Sequence, residues 1–132
     1  MSQAEALPVA RFLTALPAAS QAAIMALSEP WQAAPGERIF RHQGPVPALW
    51  MIDQGQVRFQ FDTPAGRTII TGLAAAGHCF GDVEITEGFA ALSDALAITA
   101  CQGWRLPRAA VLQAMEQIPG FARLLVTGLA RS

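Results

Sequence analysis

The sequence contains no lysine, asparagine or tyrosine, and all nine of its basic residues are arginines. Ten acidic residues leave a formal net charge of −1, so no overall positive field would recruit nucleic acid or an anionic membrane. Only two cysteines are present, Cys79 and Cys101, whereas small secreted scaffolds usually carry several disulfides. No apolar run approaches the roughly 18 residues of a membrane span, and no signal peptide opens the chain. These absences favour a cytoplasmic protein with reduced thiols.

Helical patterns are found at both ends of the chain. Hydrophobic residues make up 52% of the 132 residues and charged residues 14%, a composition that supports one packed domain. Apolar residues recur at helical spacing before Pro30, with Pro17 opening a second segment. The spacing returns after Trp104 and is interrupted at Pro119. We therefore predict one domain, with helices in residues 1–30 and 106–132 flanking a central segment, residues 31–105.

The central segment is punctuated by glycines eleven residues apart: Gly44, Gly55, Gly66, Gly77 and Gly88. Turn signals at about this interval are typical of short antiparallel strands in a sandwich or barrel. Between the glycines the apolar period is two, as in Val57, Phe59 and Phe61. Residues 96–101 form a further strand candidate. The predicted fold class is mainly β with flanking helices, a double-stranded β-helix or jelly roll of about eight strands.

Three motifs stand in a recognisable order: Pro35-Gly-Glu-Arg-Ile-Phe40, then Leu49-Trp-Met-Ile-Asp-Gln-Gly-Gln-Val57, then Gly77-His-Cys-Phe-Gly-Asp82. With the flanking helices they resemble the cyclic-nucleotide-binding domain of the CRP/FNR superfamily of bacterial transcription regulators, over nearly the whole chain. The resemblance implies a sensor domain that binds a small effector in the barrel and signals through its carboxy-terminal helix. In the family, that helix forms a dimer seam and leads to a DNA-binding domain.

The resemblance also implies where an effector would bind. In the family a Gly-Glu pair opens a phosphate-binding cassette, and Arg-Ser/Thr closes it. The matching residues here are Gly81, Asp82, Ser93 and Asp94. Ser93 and Asp94 stand where the arginine and the hydroxyl belong, and no Lys or Arg lies between positions 67 and 105. We therefore predict that cyclic AMP and cyclic GMP bind weakly or not at all, which leaves the effector unknown.

Other chemistries are less favoured by the residues. His78 and Cys79 could ligate haem or a metal, but neighbouring strand residues point to opposite faces and rarely share one metal. A cupin-like enzyme would need a His-x-His pair, and no Gly-x-Ser-x-Gly, Walker or Cys-x-x-Cys motif is present. The protein is therefore predicted not to be an enzyme. The alternative from another class is a stand-alone interaction or dimerisation domain without an effector.

The last helix carries an apolar stripe that predicts an association surface. Its members are Phe121, Leu124, Leu125 and Gly128. A homodimer packed about a two-fold axis would cover the stripe, and folding back onto the barrel is the other possibility. No recognition helix with clustered arginines precedes Ser132, so contact with DNA would require a domain that these residues do not contain.

Overall fold

The structure, a computed structural model, describes residues 9–131, with side chains described as far as Thr127. The strands are β1 (Glu29–Ala33), β2 (Arg38–Phe40), β3 (Ala48–Gln54), β4 (Val57–Asp62), β5 (Thr68–Ala74), β6 (Cys79–Phe80), β7 (Asp94–Ala97) and β8 (Cys101–Pro107). A 3₁₀ helix, Arg11–Leu13, precedes α1 (Ala18–Met25), α2 (Asp82–Glu87), α3 (Arg108–Gln117) and α4 (Phe121–Arg131). None of the described helices combines the length and apolar character needed to cross a bilayer.

The strands form two four-stranded antiparallel sheets. One has the order β1-β8-β3-β6 and the other β2-β7-β4-β5. Strands distant in the chain, such as β1 and β8, are paired in register from Glu29 opposite Arg105 to Ala33 opposite Cys101. This arrangement, with helices before and after the strands, confirms the predicted jelly roll with flanking helices.

Aromatic side chains join the inner faces of the two sheets. Phe80 of β6 stacks on Trp50 of β3, with ring centroids 5.3 Å apart. The same ring contacts Phe59 of β4 at 5.4 Å and Phe40 of β2 at 6.1 Å. These contacts fill the middle of the barrel, so a ligand must bind beside this cluster rather than within it.

The five regularly spaced glycines all lie outside the strands and helices, as predicted. Four of them have positive φ, from 76° at Gly88 to 100° at Gly55, a region that glycine adopts without steric cost. A Cβ at Gly55 would collide with the carbonyl oxygen of Ala100. The turn between β3 and β4 therefore packs directly against the segment that leads into β8.

The predicted strand over residues 96–101 is wrong in its bounds. β7 ends at Ala97, β8 begins at Cys101, and a bend separates them. The N–H of Ile98 donates to the carbonyl oxygen of Gln56 at 3.0 Å, and the N–H of Gln56 donates to Oγ1 of Thr99 at 3.0 Å. These bonds tie the bend to the β3–β4 turn, a tertiary contact that the apolar pattern of the segment does not reveal.

Candidate functional site

Gly81 connects β6 to α2 and begins the cassette predicted from the sequence. Its φ is 91°, and a Cβ at this position would lie 2.6 Å from the carbonyl oxygen of Ala48. Both constraints exclude other residues without local rearrangement. Asp82 follows as the first residue of α2, with only 7% of its surface exposed. Close packing on β3 thus fixes where the Asp82 carboxyl lies.

Asp82 lies in an environment that favours its neutral form. Burial is the largest cause that raises the pKa of its carboxyl, and the negative charge of Glu84 raises this pKa further. Backbone N–H groups and the Cys79 thiol act in the opposite direction. Burial also raises the pKa of the Cys79 thiol well above its usual range, with the charge of Asp82 as the second cause. Cys79 is therefore a protonated thiol at neutral pH and a poor nucleophile or metal ligand.

Two carboxylates of the cassette region accept hydrogen bonds from backbone N–H groups of neighbouring loops. Glu84, which is buried, accepts the N–H of Leu92 through Oε2 at 3.2 Å. Asp94, which is half-buried, accepts the N–H of His42 through Oδ1 at 2.7 Å. Among the described side chains the ion pair found is Arg105 with Glu29, at 3.4 Å. Glu84 and Asp94 thus bind backbone donors and have no guanidinium partner.

A hydrogen bond joins the two halves of the predicted cassette. The Glu84–Leu92 hydrogen bond joins α2 to the residues that precede β7. Ser93 is buried there, next to Asp94 at the start of β7. No arginine lies on either half, in agreement with the gap between positions 67 and 105 in the sequence. An anion at this cassette would meet carboxylates and no arginine from the segment itself.

A cleft of about 910 Å³ lies beside the cassette and is bounded by the 3₁₀ helix, β5, β6 and α4. Cys79 and Asp82 lie on its inner side, β5 contributes Gly72 and Leu73, and α4 contributes Leu124. Its volume falls within the range of small-molecule sites, roughly 300–1,000 Å³. Of the four residues predicted for the site, only Asp82 lines this cleft; Gly81, Ser93 and Asp94 do not.

Sequence reasoning missed most of the cleft. Residues 11–17, 71–74 and 120–127 are far apart in the chain, and no local pattern indicates that they meet. One signal was available in the last helix, where Arg123, Leu124 and Thr127 have i, i+1, i+4 spacing along one side. Residues at this spacing share one helix face, and in the structure that face borders the cleft.

The predicted association stripe of α4 is divided by the structure. Phe121 and Leu125 are 0% and 2% exposed and belong to the chain's own core, which leaves them unavailable to a second copy. Leu124 is half-buried and lines the cleft, and Gly128 lies outside the residues whose surroundings are described. Among the α4 side chains that the structure describes, Val126 is the large apolar one that is exposed, at 63%.

The His and Cys residues that the structure describes are not arranged as a three-ligand metal site. No group of three His, Cys, Asp or Glu side chains in this part of the chain is placed to hold a metal ion. Nδ1 of His78 accepts the N–H of Ala75 at 3.0 Å and is thereby engaged in its own turn. Cys79 and Cys101 are both free thiols.

Comparisons with known proteins agree with this architecture. The sequence profile of the cyclic nucleotide-binding domain matches residues 30–118. No curated protein sequence matches the chain. The catabolite activator protein of Thermus thermophilus superimposes with a TM-score of 0.78 at 22% identity, covering 92% of this chain and 57% of that protein.

Two further solved structures illustrate the range of similar proteins. The sensor domain of the transcriptional regulator DNR from Pseudomonas aeruginosa has a TM-score of 0.75 at 20% identity, covering 92% of this chain and 81% of that one. The regulatory subunit of a cAMP-independent protein kinase A from Trypanosoma brucei has a TM-score of 0.75 at 18% identity, covering 92% and 45%. At these identities the likeness establishes the fold. The chain spans 57% of the catabolite activator protein and 45% of the kinase subunit.

Proposed function

Because the chain belongs to the cyclic nucleotide-binding domain family, whose profile matches residues 30–118, we propose that it is a non-catalytic, ligand-sensing regulatory domain of the CRP/FNR type. The observation that carries this proposal is the cleft, which has Asp82 of the cassette on one side and α4 on another. A small molecule in this cleft would contact both the cassette and the helix that leads out of the domain. The similarity to the sensor domain of DNR and to the catabolite activator protein supports a regulatory role.

The proposed mechanism is a shift of population between two positions of α4. Leu124 and Thr127 border the cleft, while Phe121 and Leu125 anchor the same helix in the core. An effector that binds more tightly to one position of α4 than to the other shifts the population toward that position. The size of the shift is set by the difference between its two binding free energies. The change in α4 would reach a second copy and a DNA-binding domain beyond these residues, as in regulators of this type.

The proposed effector is not a cyclic nucleotide. Ser93 and Asp94 take the positions of the phosphate-binding pair, and Asp94 and Glu84 already hold backbone donors at the cassette. A phosphate at ~4–6 Å from such a carboxylate would be repelled by on the order of 1 kcal/mol or more at intermediate dielectric. A similar fold occurs in the kinase regulatory subunit described as cAMP-independent, so the fold does not require this ligand.

The test is a ligand screen that compares the parent chain with a variant in which a large side chain fills the cleft. Thr71 is exposed on β5 and lines the cleft, so Thr71→Trp places a large side chain there. Gln102→Trp is the control, since Gln102 is exposed on β8 away from the cleft. Cyclic AMP, cyclic GMP, haem, divalent metals and small organic acids are compared by thermal unfolding. A ligand at about 100 times its Kd adds about 2.7 kcal/mol to the free energy of unfolding.

We expect a small organic acid to raise the melting temperature of the parent chain and of Gln102→Trp, but not that of Thr71→Trp. Low-micromolar binding of either cyclic nucleotide by calorimetry would overturn the effector assignment. A ligand that stabilises all three proteins equally would place binding outside the cleft. If no compound in the screen binds, the alternative of an interaction domain without an effector is favoured.

A further inference from the structure

Two exposed arginines from different elements line the cleft, and we call this exposed side its mouth. Arg11 belongs to the 3₁₀ helix and Arg123 to α4, and both line the cleft. Both are exposed, and neither forms an ion pair with another described side chain. Two of the nine arginines in a chain of net charge −1 thus line one cleft. Two guanidinium groups with no carboxylate partner form a suitable place for an anionic group.

The inner side of the same cleft has the opposite character. Asp82 lines the cleft with only 7% of its surface exposed, whereas Arg11 and Arg123 are exposed. The buried carboxyl and the exposed guanidinium groups therefore lie at different depths of one cleft. A second anionic group placed beside Asp82 would meet its charge in a poorly solvated setting.

The walls between the mouth and Asp82 are largely apolar. They include Phe12 and Leu16 beside the 3₁₀ helix, Phe59 of β4 and Leu124 of α4. Such a wall favours a ligand that removes apolar surface from water along its length. A ligand that suits the exposed arginines, the apolar walls and the buried Asp82 has a negative charge at one end and is apolar along the rest.

We infer, resting on the proposed function above, that the effector is an amphipathic monocarboxylate. Its carboxylate binds the guanidinium groups of Arg11 and Arg123 at the mouth, and its apolar body lies against Phe12, Phe59 and Leu124. The anion is thereby recognised by the amino-terminal segment and α4, and not by the cassette. A carboxylate bound between these two elements would link the start of the domain to the helix that leaves it.

The experiment compares three eight-carbon probes: octanoate, octan-1-ol and octanedioate. Binding is followed by amide chemical shifts of the cleft residues and by calorimetry. A charged hydrogen bond exceeds a neutral one by enough to change affinity about tenfold, so we expect octanoate to bind about tenfold more tightly than octan-1-ol. Octanedioate is expected to bind more weakly than octanoate because its second carboxylate would lie near Asp82.

The variants Arg11→Gln and Arg123→Gln test the assignment of the two arginines. The hydrogen bond that Arg11 makes to Asp53 uses the backbone N–H, at 2.9 Å, so both exposed substitutions should leave the fold intact. We expect each to reduce octanoate binding by about threefold, and the double variant by about tenfold, while octan-1-ol binding is unchanged. Arg108→Gln is the matched control, since Arg108 is exposed on α3 and does not line the cleft.

The outcomes separate this inference from the proposed function. If octan-1-ol binds the parent chain as tightly as octanoate, or if the preference for octanoate survives in the double variant, the cleft is a ligand site but the monocarboxylate assignment is wrong. Binding of another compound in the cleft without any binding of octanoate would also overturn the monocarboxylate assignment alone. If the cleft takes up none of the compounds and Thr71→Trp alters nothing, both the inference and the proposed function fail.

Discussion

Asp82 is a carboxyl whose neighbours disfavour its charge. Burial and Glu84 raise its pKa, so the folded state holds this proton to higher pH than the unfolded chain does. The folded state therefore binds more protons between the unfolded pKa and the raised folded pKa, and stability falls as pH rises through that window. Below the unfolded pKa the group is protonated in both states, and its favourable contribution is fully present.

We predict that Asp82→Asn removes this pH dependence. The neutral amide should make the variant more stable relative to the parent at neutral pH than at a pH below the unfolded pKa of an aspartate. Urea denaturation at a series of pH values measures the difference. Glu87→Gln, on the exposed side of the same helix, is the control for the change in net charge. A stability difference between Asp82→Asn and the parent that is constant with pH would contradict the prediction.

At the scale of elements, α4 shows how one helix can have two roles. Its core face, with Phe121 and Leu125, is buried, and an adjacent face borders the cleft. The remaining side presents Val126 to solvent. Phe121 and Leu125 hold the first turns of α4 in the core. A ligand in the cleft would therefore contact a helix whose first turns are fixed to the barrel.

We predict that Leu125→Ala destabilises the chain by about 2–5 kcal/mol, because it leaves a cavity in the core. Val126→Ala, one residue along, should change stability by no more than about 0.5 kcal/mol, as is usual at exposed positions. The free energy of unfolding from urea titrations compares the two. Equal effects of the two substitutions would show that α4 does not pack on the barrel through Leu125.

At the scale of the whole molecule, two members of the predicted α4 stripe, Phe121 and Leu125, are buried in the chain's own core, so self-association through α4 would need its exposed side. A second copy packing on α4 would contact Val126 instead. Isologous packing about a two-fold axis would bury Val126 from both copies, at about 1.5–3 kcal/mol each before ordering costs.

We predict that Val126→Glu weakens a dimer roughly 100-fold while the monomer remains folded, because the substitution places two charges in the interface. Sedimentation equilibrium across micromolar concentrations measures the mass, and circular dichroism measures the fold. Leu112→Glu, on the exposed side of α3, is a control of equal charge. Identical masses for the parent and Val126→Glu at every concentration would exclude α4 as the interface.

The jelly roll, and the departure of residues 81–94 from the family's phosphate-binding pattern, could both be predicted from the sequence. Glycines at regular intervals and an apolar period of two specify turns and strands locally, since a turn needs a residue that tolerates positive φ and a strand alternates its faces. The absence of arginine from the cassette is visible in the sequence, because residues 81–94 are one continuous segment of the chain. The tertiary structure alone decided the cleft, the division of the α4 stripe and the bend between β7 and β8. Each of these depends on which distant segment packs against a residue: Phe121 and Leu125 have the same apolar pattern whether a barrel or a second helix covers them.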